Sequence, residues 1–164
     1  MLLPVAHGEP YGQQPVPPAR VPVGLVAERV HSGRPREEQR RVLDAYRSGT
    51  APQWPAYAYS DRLRGLFDVY EAWAAQHDDL VGSLDFDWWI NAQDWELRSV
   101  ELFEEPEGPD RTTILARFDN AGRIDLNRFK FVRQDGRWYL DDVVNGHRDE
   151  EGWVLSELLR ERPE

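Results

Sequence analysis

The sequence predicts an α+β domain in which helices lie on one face of a four-stranded antiparallel meander. Three observations carry that prediction. Apolar residues recur at three- and four-residue spacing through 35–46 and 60–77, which is the signature of amphipathic helices. From residue 95 the period changes to two, and turn-forming clusters divide the run into four segments. A third helical pattern closes the chain over 151–162.

Taken in order, the elements justify themselves locally. Six of the twelve prolines fall within the first 22 residues, where missing amide donors and restricted neighbours prevent regular structure. Residues 1–34 therefore read as a proline-rich tail or extended strap, and 35–164 as a single α+β domain. In PREEQRRVLDAY, Pro35 suits a first helical turn, Val42, Leu43 and Tyr46 share a side, and Gly49 is placed to stop the helix. Ser60 is a natural N-cap for the stronger pattern of Leu63, Leu66, Phe67, Tyr70, Trp73 and Ala74, expected to reach His77. WELRSVELF, RTTILARF, RIDLNRFKFVR and RWYLDDVV are the four strands, separated by EPEGPD, DNAG and QDG. Strands joined by turns this short pair antiparallel in sequence order. In EGWVLSELLRER, Trp153, Leu155, Leu158 and Leu159 are expected to face the core from a closing helix.

Composition limits the function. Twenty basic residues against thirty acidic ones give a net charge of -10, the wrong sign for a nucleic-acid or anionic-membrane surface. Residues 1–56 carry seven arginines and five acidic residues, so the acidic excess belongs to the remainder and would suit a protein partner with a basic surface. With no cysteine there is no disulfide, thiolate metal site or cysteine nucleophile. No apolar run is long enough for a membrane-spanning helix. Neither a nucleophile elbow, a phosphate-binding glycine loop nor a dinucleotide fingerprint occurs.

The conspicuous stretch is DFDWWINAQDW, Asp85 to Trp95. Three roles are open to it. Asp85, Asp87, Asn91 and Asp94 carry oxygens suited to a hard cation, although their spacing is not that of an EF-hand. Trp88, Trp89 and Trp95 could wall a small-molecule pocket oriented by Asp87, Asn91 or Gln93. Equally, the tryptophans could fill the space between sheet and helices while the aspartates bind backbone amides at an irregular crossing.

Five segments together, SDRLRGLF, DFDWWINAQDW, WELRSVEL, DGRWYLDDVV and GWVLSELL, resemble the uncharacterised bacterial domain-of-unknown-function family 3828 over residues 36–160. That family is placed in the nuclear-transport-factor-2-like superfamily. The resemblance implies a cystatin-like cone, in which a curved antiparallel sheet wraps around helices and can enclose a pocket. It also implies an exported or envelope protein, often a lipoprotein, a pattern from which the absence of cysteine departs. Related immunity proteins neutralise toxins. Asp85, Asp87, Gln93 and Asp94 are family-typical, but the resemblance supplies no catalytic residue, and fold alone does not supply function.

The first expectation is a non-catalytic envelope or periplasmic binding or accessory protein, its pocket or rim built from Asp87, Trp88, Trp89, Asn91, Gln93, Asp94 and Trp95. No cofactor is expected, and the metal question stays open. One alternative is an immunity or inhibitor protein that neutralises a toxin through its acidic surface. Another is a small-molecule isomerase or hydrolase using a buried aspartate, Asp87 or Asp94. Periplasmic or secreted localisation, with MLLPVA the trimmed remnant of a signal peptide, stands beside a cytoplasmic one with Met1 a true start. A monomer and a homodimer are both compatible, the latter if strand alternation leaves Phe129 and Phe131 on an exposed face.

Overall fold

The computed structural model describes residues 34–49, 59–77, 82–146 and 152–162. The expected tail at 1–34 lies outside them except for Arg34. Helix α1 (Pro35–Arg47) begins with Pro35 in its first turn, where a missing amide donor costs nothing. Pro35, Gln39, Val42, Leu43 and Tyr46 form its buried stripe. Helix α2 (Asp61–Ala74) is capped by Ser60, whose Oγ accepts from the Leu63 amide at 3.1 Å, and it buries Leu63, Phe67 and Tyr70. It stops three residues short of His77.

Four strands follow: β1 (Leu97–Pro106), β2 (Arg111–Asn120), β3 (Arg123–Gln134) and β4 (Arg137–Asn145). They pair in sequence order as an antiparallel meander. Two tight turns set the register. Ala121-Gly122 and Asp135-Gly136 all have positive φ, the two-residue hairpin geometry whose twist matches that of its flanking strands. Ile114, Ala116 and Phe118 on β2, Phe129 and Phe131 on β3, and Leu140 and Val143 on β4 lie in the core beneath the helices. Phe129 and Phe131 thus belong to the buried face; the exposed large apolar side chains include Phe103 and Ile124.

The C-terminal helix, α3 (Leu155–Leu158), is a single turn rather than the longer helix expected. Long-range pairing explains the difference. Trp153 O accepts from the Asn145 amide at 2.9 Å, and Val154 bridges Val144 antiparallel, so the chain before α3 runs extended along the border of β4. Asp142 then holds the turn: its Oδ1 accepts from the Ser156 amide at 3.0 Å and its Oδ2 from the Ser156 hydroxyl at 2.6 Å. Leu155 and Leu159 drop into the core.

Both borders of the sheet are engaged. Tyr59 bridges Leu140 in parallel, and the Ser60 amide donates to Leu140 O at 2.8 Å. On the opposite border, Arg40 donates to Val100 O at 3.0 Å and Arg36 to Leu102 O at 3.4 Å, so α1 places guanidinium groups on β1 carbonyls. Unpaired strand edges invite pairing with other chains, and such cover suppresses it. Among the described residues no helix is long and apolar enough to cross a membrane.

Candidate functional site

The tryptophan and aspartate segment forms a closed loop between α2 and β1. The Asp87 amide donates to Ala92 O at 3.0 Å, and the Ala92 amide donates back to Asp87 O at 3.2 Å. Within that clasp, Asp87 Oδ1 accepts from the Trp89 amide at 2.9 Å, a local turn that aspartate forms readily. Its Oδ2 accepts from the Tyr46 hydroxyl of α1 at 2.5 Å. Asn91 has φ of 52°, a left-handed conformation that asparagine tolerates better than most residues.

Below the loop, the inward positions of β3 and β4 change from apolar to polar. Asn127, fully buried, donates to Trp88 O at 3.2 Å and Trp89 O at 2.9 Å, and its own Oδ1 accepts from Asn145 at 2.7 Å. Asp125 accepts from Asn145 at 2.8 Å and Asn91 at 3.0 Å, and pairs with Arg123 at 3.0 Å. Trp153 Nε1 donates to Asn91 Oδ1 at 2.8 Å, and Arg123 reaches Asn91 O at 2.6 Å. The loop is thus bolted to the sheet by side chains whose hydrogen-bonding groups find partners, the condition under which buried polar networks rigidify a core.

The seven residues picked out in the sequence fall into four settings. Trp88 and Trp89 are core: their rings stack at 4.7 Å, and Trp89 stacks on Phe129 at 5.1 Å. Asp87 and Asn91 point inward and are engaged as above. Trp95 is half-buried, with its ring edge-on to Tyr46 at 5.4 Å. Gln93 and Asp94 are exposed; Gln93 donates to Asp85 O at 3.4 Å, and Asp94 O accepts from Asn120 at 3.3 Å. The structure therefore does not gather Asp85, Asp87, Asn91 and Asp94 around one point. Among the described residues no group of three or more His, Asp or Glu side chains is placed to hold a metal.

Sequence reasoning missed the partners that fix this loop. Asp125 and Asn127 share the inward parity of Phe129 and Phe131, so strict alternation along β3 would have marked them as buried polar groups. Tyr46 was assigned to the core of α1, without its link to Asp87.

Burial pushes the Asp87 carboxyl above the usual carboxylate range, and the bonds from Tyr46 and the Trp89 amide pull it partly back. Burial also raises the Tyr46 hydroxyl, and the neighbouring Asp87 charge adds to that. At Asp141, left without an opposite residue where Lys130 pairs with Asp142 and Phe131 with Leu140, the balance is reversed: burial pushes its carboxyl up, but Ser60 and Arg62 outweigh it and leave it below the usual range. A folded state that holds the Asp87 proton more tightly than the unfolded chain gains a stability increment that is complete below the ordinary value of 3.8 and is lost as pH rises through the folded value. Asp87→Asn should therefore flatten the fall of the urea midpoint between 3.8 and the folded value. An unchanged slope would show that another group is responsible. Tyr46→Phe removes a bond that lowers the Asp87 carboxyl, so the fall should extend to higher pH, with a cost of about 1–3 kcal/mol from the unmatched oxygen.

Compared with protein-family models, curated proteins and solved structures, the chain matches none.

Proposed function

We propose that the chain is a non-catalytic binding or accessory protein of the bacterial envelope or periplasm that engages a protein partner through a basic surface on that partner. The observation that carries this reading is the exposed face of β1 and the turn after it. Glu101 and Glu105 lie on that outward face, Glu104 is exposed on the opposite face beyond Leu102, Glu107 and Asp110 are exposed in the turn, and no basic residue lies between Ser99 and Asp110. Phe103, 51% exposed, stands among them. An apolar side chain flanked by Glu101 and Glu105 in a locally acidic segment, with Arg117 of β2 paired to Glu101 at 2.8 Å, suits an interface whose encounter is electrostatically steered and whose contact is hydrophobic. Toxin neutralisation is the form of this reading that the same face favours, since a basic inhibitory target would complement it. The family 3828 resemblance and its cystatin-like cone belong to this reading, supported by the succession of α2, tryptophan loop, meander and closing turn. The isomerase or hydrolase alternative has less support, because both oxygens of Asp87 already accept internal bonds.

A photoactivatable phenylalanine analogue placed at 103 in the full chain, expressed in its own host, tests the proposal. A crosslinked basic protein is expected, with a yield that falls on adding salt and in Glu101→Lys and Glu105→Lys variants. A product whose yield ignores both salt and these charges, or one formed equally from position 69 on α2, would overturn it.

A further inference from the structure

We infer that Asn145 is a site of spontaneous deamidation, held in check while the polar network around it is closed, and that its conversion releases the tryptophan loop. The site is separate from the acidic face of β1. Asn145-Gly146 is the one asparagine-glycine pair in the chain. Asparagine in that setting is chemically labile, because glycine has no side chain to obstruct the approach of its own amide nitrogen. As that nitrogen loses its proton it attacks the asparagine Cγ. A carbon-nitrogen bond forms, the side-chain nitrogen leaves as ammonia, and a five-membered imide remains. Water then opens the imide at either carbonyl, giving aspartate or, with the backbone rerouted through the side chain, isoaspartate. Water is the only other reactant.

In the folded chain both reacting groups are engaged. The Asn145 side-chain nitrogen donates to Asn127 Oδ1 at 2.7 Å, Asp125 Oδ1 at 2.8 Å and Leu126 O at 3.4 Å, which turns the carboxamide toward β3. The Gly146 amide donates to Leu126 O at 3.0 Å, so its proton is held. Arg128 grips Gly146 O at 2.6 Å, and the Asn145 amide donates to Trp153 O at 2.9 Å. Gly152 passes so close that a methyl there would lie 1.9 Å from Asn145 O. The nitrogen reaches Cγ only when this end of β4 opens locally, and the rate then follows the population of the open form. Conversion removes the donor on which the network depends. A carboxylate at 145 faces Asp125 Oδ1, Asn127 Oδ1 and Leu126 O, all acceptors, and sets a like charge beside Asp125. Isoaspartate also lengthens the backbone where Asn145 pairs with Asn127. Asn127 holds Trp88 O and Trp89 O, so its displacement loosens the loop above it. Refolding does not restore the amide, which makes the release one-way.

The full chain is held at mildly alkaline pH, native and in urea beyond its unfolding midpoint, while peptide mapping follows the loss of each asparagine amide. In urea, loss is expected first at Asn145, with isoaspartate among the products. In the native protein it should be at least tenfold slower, and Gly152→Ala, which presses on Asn145 O, should raise that native rate. Loss at Asn145 no faster than at Asn91, Asn120 or Asn127 in urea, or a rate the same with and without urea, would overturn the inference. The converted wild-type chain is then separated by its extra negative charge and compared with the starting protein by hydrogen exchange. The amides of Trp89 and Ala92 should exchange at least tenfold faster, and Asn145→Asp should show the same change without isoaspartate. Unchanged exchange at those amides in the converted chain would overturn the release of the loop. These wild-type comparisons decide the matter even if either variant does not fold.

Discussion

Trp89→Ala is expected to lower the stability of the protein by about 3–5 kcal/mol, the usual cost of removing a buried tryptophan side chain, because the relaxed core cannot fill the space. Trp89 is 0% exposed and sits between Trp88 and Phe129, with ring centroids 4.7 and 5.1 Å away. Its removal unsupports the loop from Asp87 to Ala92 and the centre of β3 at once. Urea denaturation followed by far-ultraviolet circular dichroism measures the loss. A drop below about 1 kcal/mol, typical of surface changes, would show that the ring is not a core element. Trp95→Ala provides the contrast: a half-buried ring in edge contact with Tyr46 should cost clearly less.

The second large effect is expected from Asn127→Ala. Its side-chain amide is the shared donor to Trp88 O and Trp89 O, and its oxygen accepts from Asn145. Truncation removes two donated bonds and one accepted bond from a largely buried network, each worth about 1–3 kcal/mol, with relief at Asn145, which also donates to Asp125 and Leu126 O. Asn127→Asp is the sharper variant. It keeps the size but replaces the donor with a carboxylate facing two carbonyls beside Asp125, so it should destabilise at least as much near neutral pH and recover partly in acid. Hydrogen exchange adds a local reading: if the loop is bolted through Asn127, the amides of Trp89 and Ala92 should lose protection in both variants. Protection unchanged at those amides would place the anchor elsewhere.

Much of the fold was legible because its signals are local. Ser60 caps α2 through a contact three residues away, and Ala121-Gly122 and Asp135-Gly136 turn the chain with their own backbone angles. The meander follows from short turns and period-two patterning with no knowledge of distant residues. What was not legible depends on long-range partners. Trp153 and Val154 carry a helical spacing, yet the exposed border of β4 recruits them into extended pairing before α3 can begin. Within DFDWWINAQDW the composition does not tell which side chains turn inward. That choice is made by Tyr46, 41 residues earlier, and by Asn127, 38 residues after Trp89. Gln39 lies between these cases. Its spacing from Val42, Leu43 and Tyr46 places it on the apolar stripe, but only the structure reveals that both amide atoms stay unmatched there.

The engaged borders of the sheet restrict how any other macromolecule can bind. Recognition by strand addition needs a row of free backbone donors and acceptors, which the incoming segment matches one by one with little regard to its side chains. Here Arg36 and Arg40 occupy carbonyls on one border, while the segments around Tyr59 and Val154 occupy the other. Annexation of the sheet by a foreign strand is thereby disfavoured, and so is the promiscuity that backbone recognition brings. A partner must read side chains on a face or a turn, where single substitutions change affinity. Selectivity in such a protein can evolve one surface position at a time while the framework beneath stays unchanged.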